Sequence, residues 1–197
     1  MEKILEYLGV VSGLLYLILE IKQHRAMWVV GFLTSLLYVF VFFFAKIYAD
    51  MGLNLYYTGI SLYGFRQWSR TRSGQNENRP RPEESFILYR ALTGSLAAGI
   101  LLAIGILFAF LYYGLHTFTD SPIPAGDAFT TSAGIVATWM LARRILAHWI
   151  VWVVVNFVSA YLYYIRGLYP TLFLYVCYGI LAMVGFHTWK KKGVKIK

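Results

Sequence analysis

Trp149, Trp152, Asn156, Ser159 and Tyr163 follow the spacing i, i+3, i+7, i+10, i+14. On a helix of 3.6 residues per turn that spacing places all five on one face. Indole rings beside a carboxamide and hydroxyls suit non-covalent recognition, with stacking on a flat solute and hydrogen bonds to its edge. Asn54, Tyr57, Ser61, Gly64 and Trp68 repeat the spacing. So do Trp28, Gly31, Ser35, Tyr38 and Phe42, and again Tyr175, Tyr178, Ala182, Gly185 and Trp189. The candidate solute-binding residues on these stripes are Trp149, Trp152, Asn156, Asn54, Tyr57, Tyr178 and Ser61.

Asn156 has two readings. It lies about seven residues, roughly 10 Å, into its helix, where an unpaired carboxamide in hydrocarbon costs several kcal/mol. Its partner is then either a solute or a neighbouring helix. Trp149 is likewise open to two readings, as a solute contact or as part of an interfacial aromatic belt. Trp152, one turn deeper, fits the belt less well.

Catalytic patterns are missing. The chain has no H-E-x-x-H, no G-x-S-x-G and no phosphate-cradling glycine loop. Its single cysteine, Cys177, excludes a disulfide framework and a cysteine metal site. His24, His116, His148 and His187 offer no pair on one mid-span face. The expectation is therefore a non-enzyme with no catalytic residues, no metal and no cofactor. Acidic residues sit at span ends or in loops, and no Lys or Arg lies mid-span. Ion-coupled pumps depend on such intramembrane charges, so the reading is uncoupled, facilitated diffusion. Glu20 comes nearest to a buried charge and is expected to snorkel from the end of its span.

These stripes need helices to carry them. The chain is 59% apolar and 14% charged, against about 25% charged in ordinary soluble domains. Seven apolar segments span roughly 4–21, 27–44, 48–68, 92–113, 128–141, 149–164 and 169–186. Most are long enough to cross about 30 Å of hydrocarbon. The fifth is the weakest, being short and holding Thr130, Thr131, Ser132 and Thr138. Fifteen of the 18 Lys and Arg residues fall on one side of this topology, leaving only Lys3, Lys46 and Arg166 on the other. The positive-inside rule makes the rich side cytoplasmic, with the N-terminus outside and the C-terminus inside. The net charge of +9 is thus a topology signal, and nucleic acid is not an expected partner.

Shifted by 121 residues, the chain aligns with itself from about Gly13 to Arg70. Gly13/Gly134, Ala26/Ala147, Trp28/Trp149, Tyr48/Tyr169, Tyr57/Tyr178, Gly64/Gly185 and Trp68/Trp189 coincide. The expected organisation is a first three-helix repeat over 1–70, a disordered cytoplasmic loop over 71–85 and a linker helix over 86–115. An outer loop over 116–127, a second repeat over 128–191 and a basic tail over 192–197 complete it. This predicts an all-α polytopic membrane protein with seven transmembrane helices in a 3+1+3 plan. One linking span after an odd unit leaves both copies in parallel orientation. Small-xxx-small spacings in the linker (Ser95/Gly99, Gly99/Ala103, Gly105/Ala109) are expected to let it pack closely on other helices.

The pattern W-x-x-W-x-x-x-N at Trp149, Trp152 and Asn156 resembles the substrate signature of PnuC-type vitamin transporters. K-I-Y-A-D-M-G-L-N from Lys46 and Y-G-F-R-Q-W from Tyr63 are similar to that family's third-span pattern. The resemblance covers essentially the whole chain and includes the 3+1+3 plan shared with SWEET sugar transporters. It implies a multi-pass protein of the bacterial inner membrane that carries nicotinamide riboside, or in related branches thiamine or riboflavin. It also implies a homo-oligomer, commonly a trimer, and trapping of the vitamin by intracellular phosphorylation. Trp149, Trp152 and Asn156 carry over as substrate contacts, followed by Asn54 and Tyr57. In nicotinamide riboside members the position of Asn54 is often glutamine, and L-L-Y-L-I-L-E from Leu14 looks more like the thiamine-associated branch.

Overall fold

A computed structural model describes residues 13–44, 48–73, 87–119 and 122–196. Seven helices and two short strands occur among them. The chain divides into two compact units, Met1–Ile87 and Leu88–Lys197. The expected disordered loop lies mostly outside the described residues, as do residues 4–12 of the first expected span.

In the first unit, α1 is described over 13–21, followed by α2 (Ala26–Phe44) and α3 (Tyr48–Ser73). The sequence of α2 is almost wholly Leu, Val, Phe and other apolar types. A helix satisfies its backbone within the segment, which hydrocarbon requires. The turn between α1 and α2 places Gln23 at a positive φ of 52°. Gln23 N–H donates to Glu20 O at 2.9 Å and His24 N–H to Leu19 O at 2.8 Å, closing the helix end.

The second unit holds β1 (Ile87–Arg90, its first residue at the boundary), α4 (Gly94–Phe118) and α5 (Pro124–Ala142). It continues with α6 (His148–Ile165), α7 (Tyr169–Lys192) and β2 (Gly193–Ile196). The turn between α5 and α6 repeats the earlier one 121 residues on. Arg144 has φ 59°, its N–H donates to Leu141 O at 2.8 Å, and Ile145 N–H donates to Met140 O at 2.9 Å. A left-handed backbone costs a non-glycine residue about 1–2 kcal/mol. Its recurrence at matching positions marks one folding unit used twice. α7 starts as proline-bearing helices do, with Pro170 in its first turn.

Three boundaries differ from expectation. The linker helix begins at Gly94, because Ile87–Arg90 form a strand. That strand pairs with Gly193–Ile196, the expected basic tail. A four-residue strand shows no readable periodicity, so an all-α reading misses both. The outer loop is shorter than 116–127, since α4 runs to Phe118 and α5 starts at Pro124.

The fifth helix, weakest in sequence, is the most buried. Ala128, Ser132, Ala133, Gly134, Val136, Ala137, Thr138, Met140, Leu141 and Ala142 are all covered. Its hydroxyls bond back to its own carbonyls: Thr130 to Gly126 O at 3.1 Å, Ser132 to Phe129 O at 3.0 Å and Thr138 to Gly134 O at 2.8 Å. Satisfied in this way, small polar residues serve as close-packing surface. α5 packs against both α4 and α6, around Ile100, Val136, Met140 and Ile145. Of the small residues of α4, Ala103 packs against this cluster, whereas a Cβ added at Gly99 or Gly105 would meet nothing within 4 Å.

Among the described residues, Gly94–Phe118, His148–Ile165 and Tyr169–Lys192 are long and apolar enough to cross a membrane, and Ala26–Val41 is a shorter apolar stretch.

Candidate functional site

Each unit contains a tryptophan clasp. In the first, the rings of Trp28 on α2 and Trp68 on α3 meet edge to face at 5.4 Å and 88°. In the second, Trp149 on α6 meets Trp189 on α7 at 5.6 Å and 87°. All four are 0–1% exposed. A glycine opposite makes room for each leading ring. A Cβ on Gly64 would fall 2.5 Å from the Trp28 ring, and one on Gly185 would fall 2.5 Å from the Trp149 ring. Only a residue without a side chain allows that approach. The indole N–H groups of Trp28 and Trp149 are both buried, with no hydrogen-bond partner among the described residues. Position 27/148 differs: Met27 stands beside the first clasp and His148 is wedged into the second. The His148 ring lies 4.6 Å from Trp149 and 4.9 Å from Trp189. Its Nδ1–H donates to Ile145 O at 2.7 Å, which fixes the tautomer.

Two turns into α6 lies Asn156, 7% exposed. Among the described residues its carboxamide makes no hydrogen bond. The matching position in the first unit is Ser35, also buried, and its needs are met. Its hydroxyl pairs with Thr58 Oγ1 at 2.9 Å and contacts Phe32 O at 3.2 Å. Thr58 in turn donates to Asn54 O at 2.8 Å. The counterpart of Thr58 in the second unit is Gly179, and the Phe157 ring stands 3.1 Å from where its Cβ would be. The second copy therefore carries a carboxamide where the first has a hydroxyl, and a glycine where the first has that hydroxyl's partner.

On α6, Trp149, Asn156 and Ser159 are buried and Trp152 and Tyr163 half-buried, while Ile150, Val154, Tyr161 and Tyr164 are exposed. The stripe thus occupies the covered face. Tyr163 packs on Tyr175 at 5.0 Å, and Tyr175 on Tyr178 at 5.9 Å, a run of phenols between α6 and α7. In the first unit Ser61 is buried and Asn54 and Tyr57 half-buried on α3. Sequence reasoning overlooked Tyr16. A Cβ on Gly31 would lie 3.2 Å from Ser61 Oγ and 3.4 Å from the Tyr16 ring, so α1, α2 and α3 converge there. Tyr16 is within electrostatic reach of both Glu20 and Tyr57. Glu20, expected to snorkel, is 3% exposed. The i, i+4 spacing of Tyr16 and Glu20 was the available signal.

Residues 3–191 match a family model described as the nicotinamide mononucleotide transporter. The chain belongs to that family. Among its relatives, the nicotinamide riboside transporter PnuC of Escherichia coli is 25% identical over 94% of this chain and 84% of its own length. The riboflavin/roseoflavin transporter RibM of Streptomyces davaonensis is 26% identical over 93% of this chain and 83% of its own. A crystal structure of the vitamin B3 transporter PnuC superposes with a TM-score of 0.68 at 25% identity, covering 92% of this chain and 78% of that one. Together these place the protein in the PnuC-type family, a group of membrane transporters for small vitamin-type solutes.

Proposed function

We propose that the protein is an inner-membrane facilitator for uptake of a B-vitamin precursor, first among them nicotinamide riboside. The N-terminus lies outside, the C-terminus is cytoplasmic, and seven helices span the membrane in a 3+1+3 plan. The observation that carries the solute-binding part is Asn156, a covered carboxamide with no internal hydrogen bond beside half-buried Trp152. Its amide atoms are not fully covered, so a solute can reach them, and one hydrogen bond there contributes about 0.5–1.5 kcal/mol. Asn156 hydrogen-bonds the solute and Trp152 stacks on it, with Tyr178 in the same unit; Asn54, Tyr57 and Ser61 are the matching solute-binding residues of the first unit. Trp149 belongs to the same set by its place on the α6 stripe. Trapping by intracellular phosphorylation and assembly into a trimer complete the proposal.

Nicotinamide riboside and thiamine are flat monocations, and each aromatic contact contributes about 0.5–2 kcal/mol by cation–π attraction. A monocation is also drawn inward by about 2.3 kcal/mol per 100 mV, which drives uptake without an ion-coupling site. The likeness to a riboflavin/roseoflavin transporter supports a second reading, a neutral flavin substrate. Proteoliposomes holding an imposed potential separate these readings. Labelled nicotinamide riboside should enter faster with the interior negative, and Trp152→Ala and Asn156→Ala should each slow the uptake at low solute concentration. Entry of thiamine alone, or of riboflavin at a rate indifferent to voltage, would reassign the substrate. Uptake of none of the three would leave a membrane scaffold.

A further inference from the structure

A cavity of about 340 Å³ opens at the charge-rich end of the second unit, away from the aromatic stripes. Arg90, Ala91, Thr93, Leu96, Trp139, Arg143, Ile145, Lys195 and Ile196 line it. Three of these are cations and none is acidic. Backbone geometry brings them together. Arg90 N–H donates to Arg144 O at 2.8 Å and Leu146 N–H to Arg90 O at 3.0 Å, fixing β1 to the α5–α6 turn. Pairing of β1 with β2 delivers Lys195. The Arg143 guanidinium lies 5.1 Å over the Trp139 ring, held against the wall. Three like charges around one hollow make a field that favours an anion there. Thr93, the N-cap of α4, lines the cavity and makes no side-chain cap bond, so the positive end of the helix dipole adds to the field.

We propose that this cavity binds a phosphate group. Guanidinium pairs match phosphate oxygens through parallel hydrogen bonds. The space exceeds that of a water, about 30 Å³, by enough to admit part of an attached organic group. Its other walls are Leu96, Trp139, Ile145 and Ile196, apolar surface suited to the glycerol end of an anionic phospholipid. Leu101, Leu102, Ile106 and Phe110 along α4 are exposed and offer acyl chains a track. A soluble phosphate monoester has the same head-group chemistry, and the experiment distinguishes the two sources.

The full-length protein in a nonionic detergent would be titrated with phosphatidylglycerol, phosphatidylcholine or inorganic phosphate, reading thermal unfolding and, by native mass spectrometry, bound adducts. Phosphatidylglycerol should raise the midpoint and phosphatidylcholine should not. Lys195→Gln should weaken the effect about fivefold, the worth of one cation near an anionic surface, and Arg90→Gln with Arg143→Gln should remove it. A shift with inorganic phosphate that the same variants abolish would assign the cavity to soluble phosphates. Should the double variant fail to fold, the exposed Lys195→Gln decides. No shift with either anion, or a shift that Lys195→Gln leaves at full strength, overturns the proposal.

Discussion

The two tryptophan clasps are built alike, yet the residues beside them have diverged. Trp28, Gly64 and Trp68 in the first unit and Trp149, Gly185 and Trp189 in the second meet at nearly the same distances and angles. The turns leading into them share a positive φ and the same hydrogen bonds. Two turns along, the copies part. Ser35 is satisfied by Thr58, whereas the second copy has Gly179 at the position of Thr58, set against the Phe157 ring. What a duplicated unit keeps is its scaffold, and the positions where the copies differ are the first place to look for a task.

The largest effect should come from breaking a clasp. Gly64→Ala and Gly185→Ala each drive a methyl into a tryptophan ring that has nowhere to go. Each should cost about 2–3 kcal/mol, at the upper end of overpacking penalties, seen as a lowered unfolding midpoint. The two losses should be similar, because the geometry is. Gly99→Ala, on an open face, should be neutral or slightly stabilising.

Changing the diverged positions should separate the two copies. Asn156→Ala should weaken vitamin binding about tenfold, the value of one hydrogen bond in a covered site, while leaving the unfolding midpoint nearly unmoved. Ser35→Ala should do the reverse, losing about 1 kcal/mol of stability with affinity intact. Calorimetric titration beside thermal unfolding reads both.

Smaller still is His148→Met, which writes the residue of the first clasp into the second. It removes the hydrogen bond to Ile145 O and keeps the apolar volume, so about 1 kcal/mol of stability should be lost. The smallest effect belongs to the ion pair of Arg166 with Asp127, 2.9 Å long and partly exposed. Asp127→Asn should cost less than about 1 kcal/mol, and less again in high salt.

Much of this was legible in the residues. Long apolar runs separated by basic turns announced the helices, and Trp28/Trp149 with Trp68/Trp189 announced the repeat. Helical spacing put Asn156 and Trp152 on one face of α6, the covered one in the structure. That spacing could not say which ring a glycine would cover, so the full burial of Trp149 inside the clasp was not legible. Pairing Trp149 with Gly185 across the repeat would have given the hint. Ile87–Arg90 and Gly193–Ile196 were lost because four residues carry no period. The depth of α5 was lost because Thr and Ser count as polar until their intrahelical bonds are seen. Burial of Glu20 was lost because a charge near a span end usually reaches water.

The Asn156 carboxamide makes no hydrogen bond among the described residues, and the proposed reason is a solute. The direct test is calorimetric titration of nicotinamide riboside into the wild-type protein, Asn156→Ala and Ser35→Ala. Binding should be saturable in the wild type and in Ser35→Ala, and affinity about tenfold weaker in Asn156→Ala. Equal affinity in all three, with stability lost in Asn156→Ala, would make Asn156 a packing residue and contradict the account.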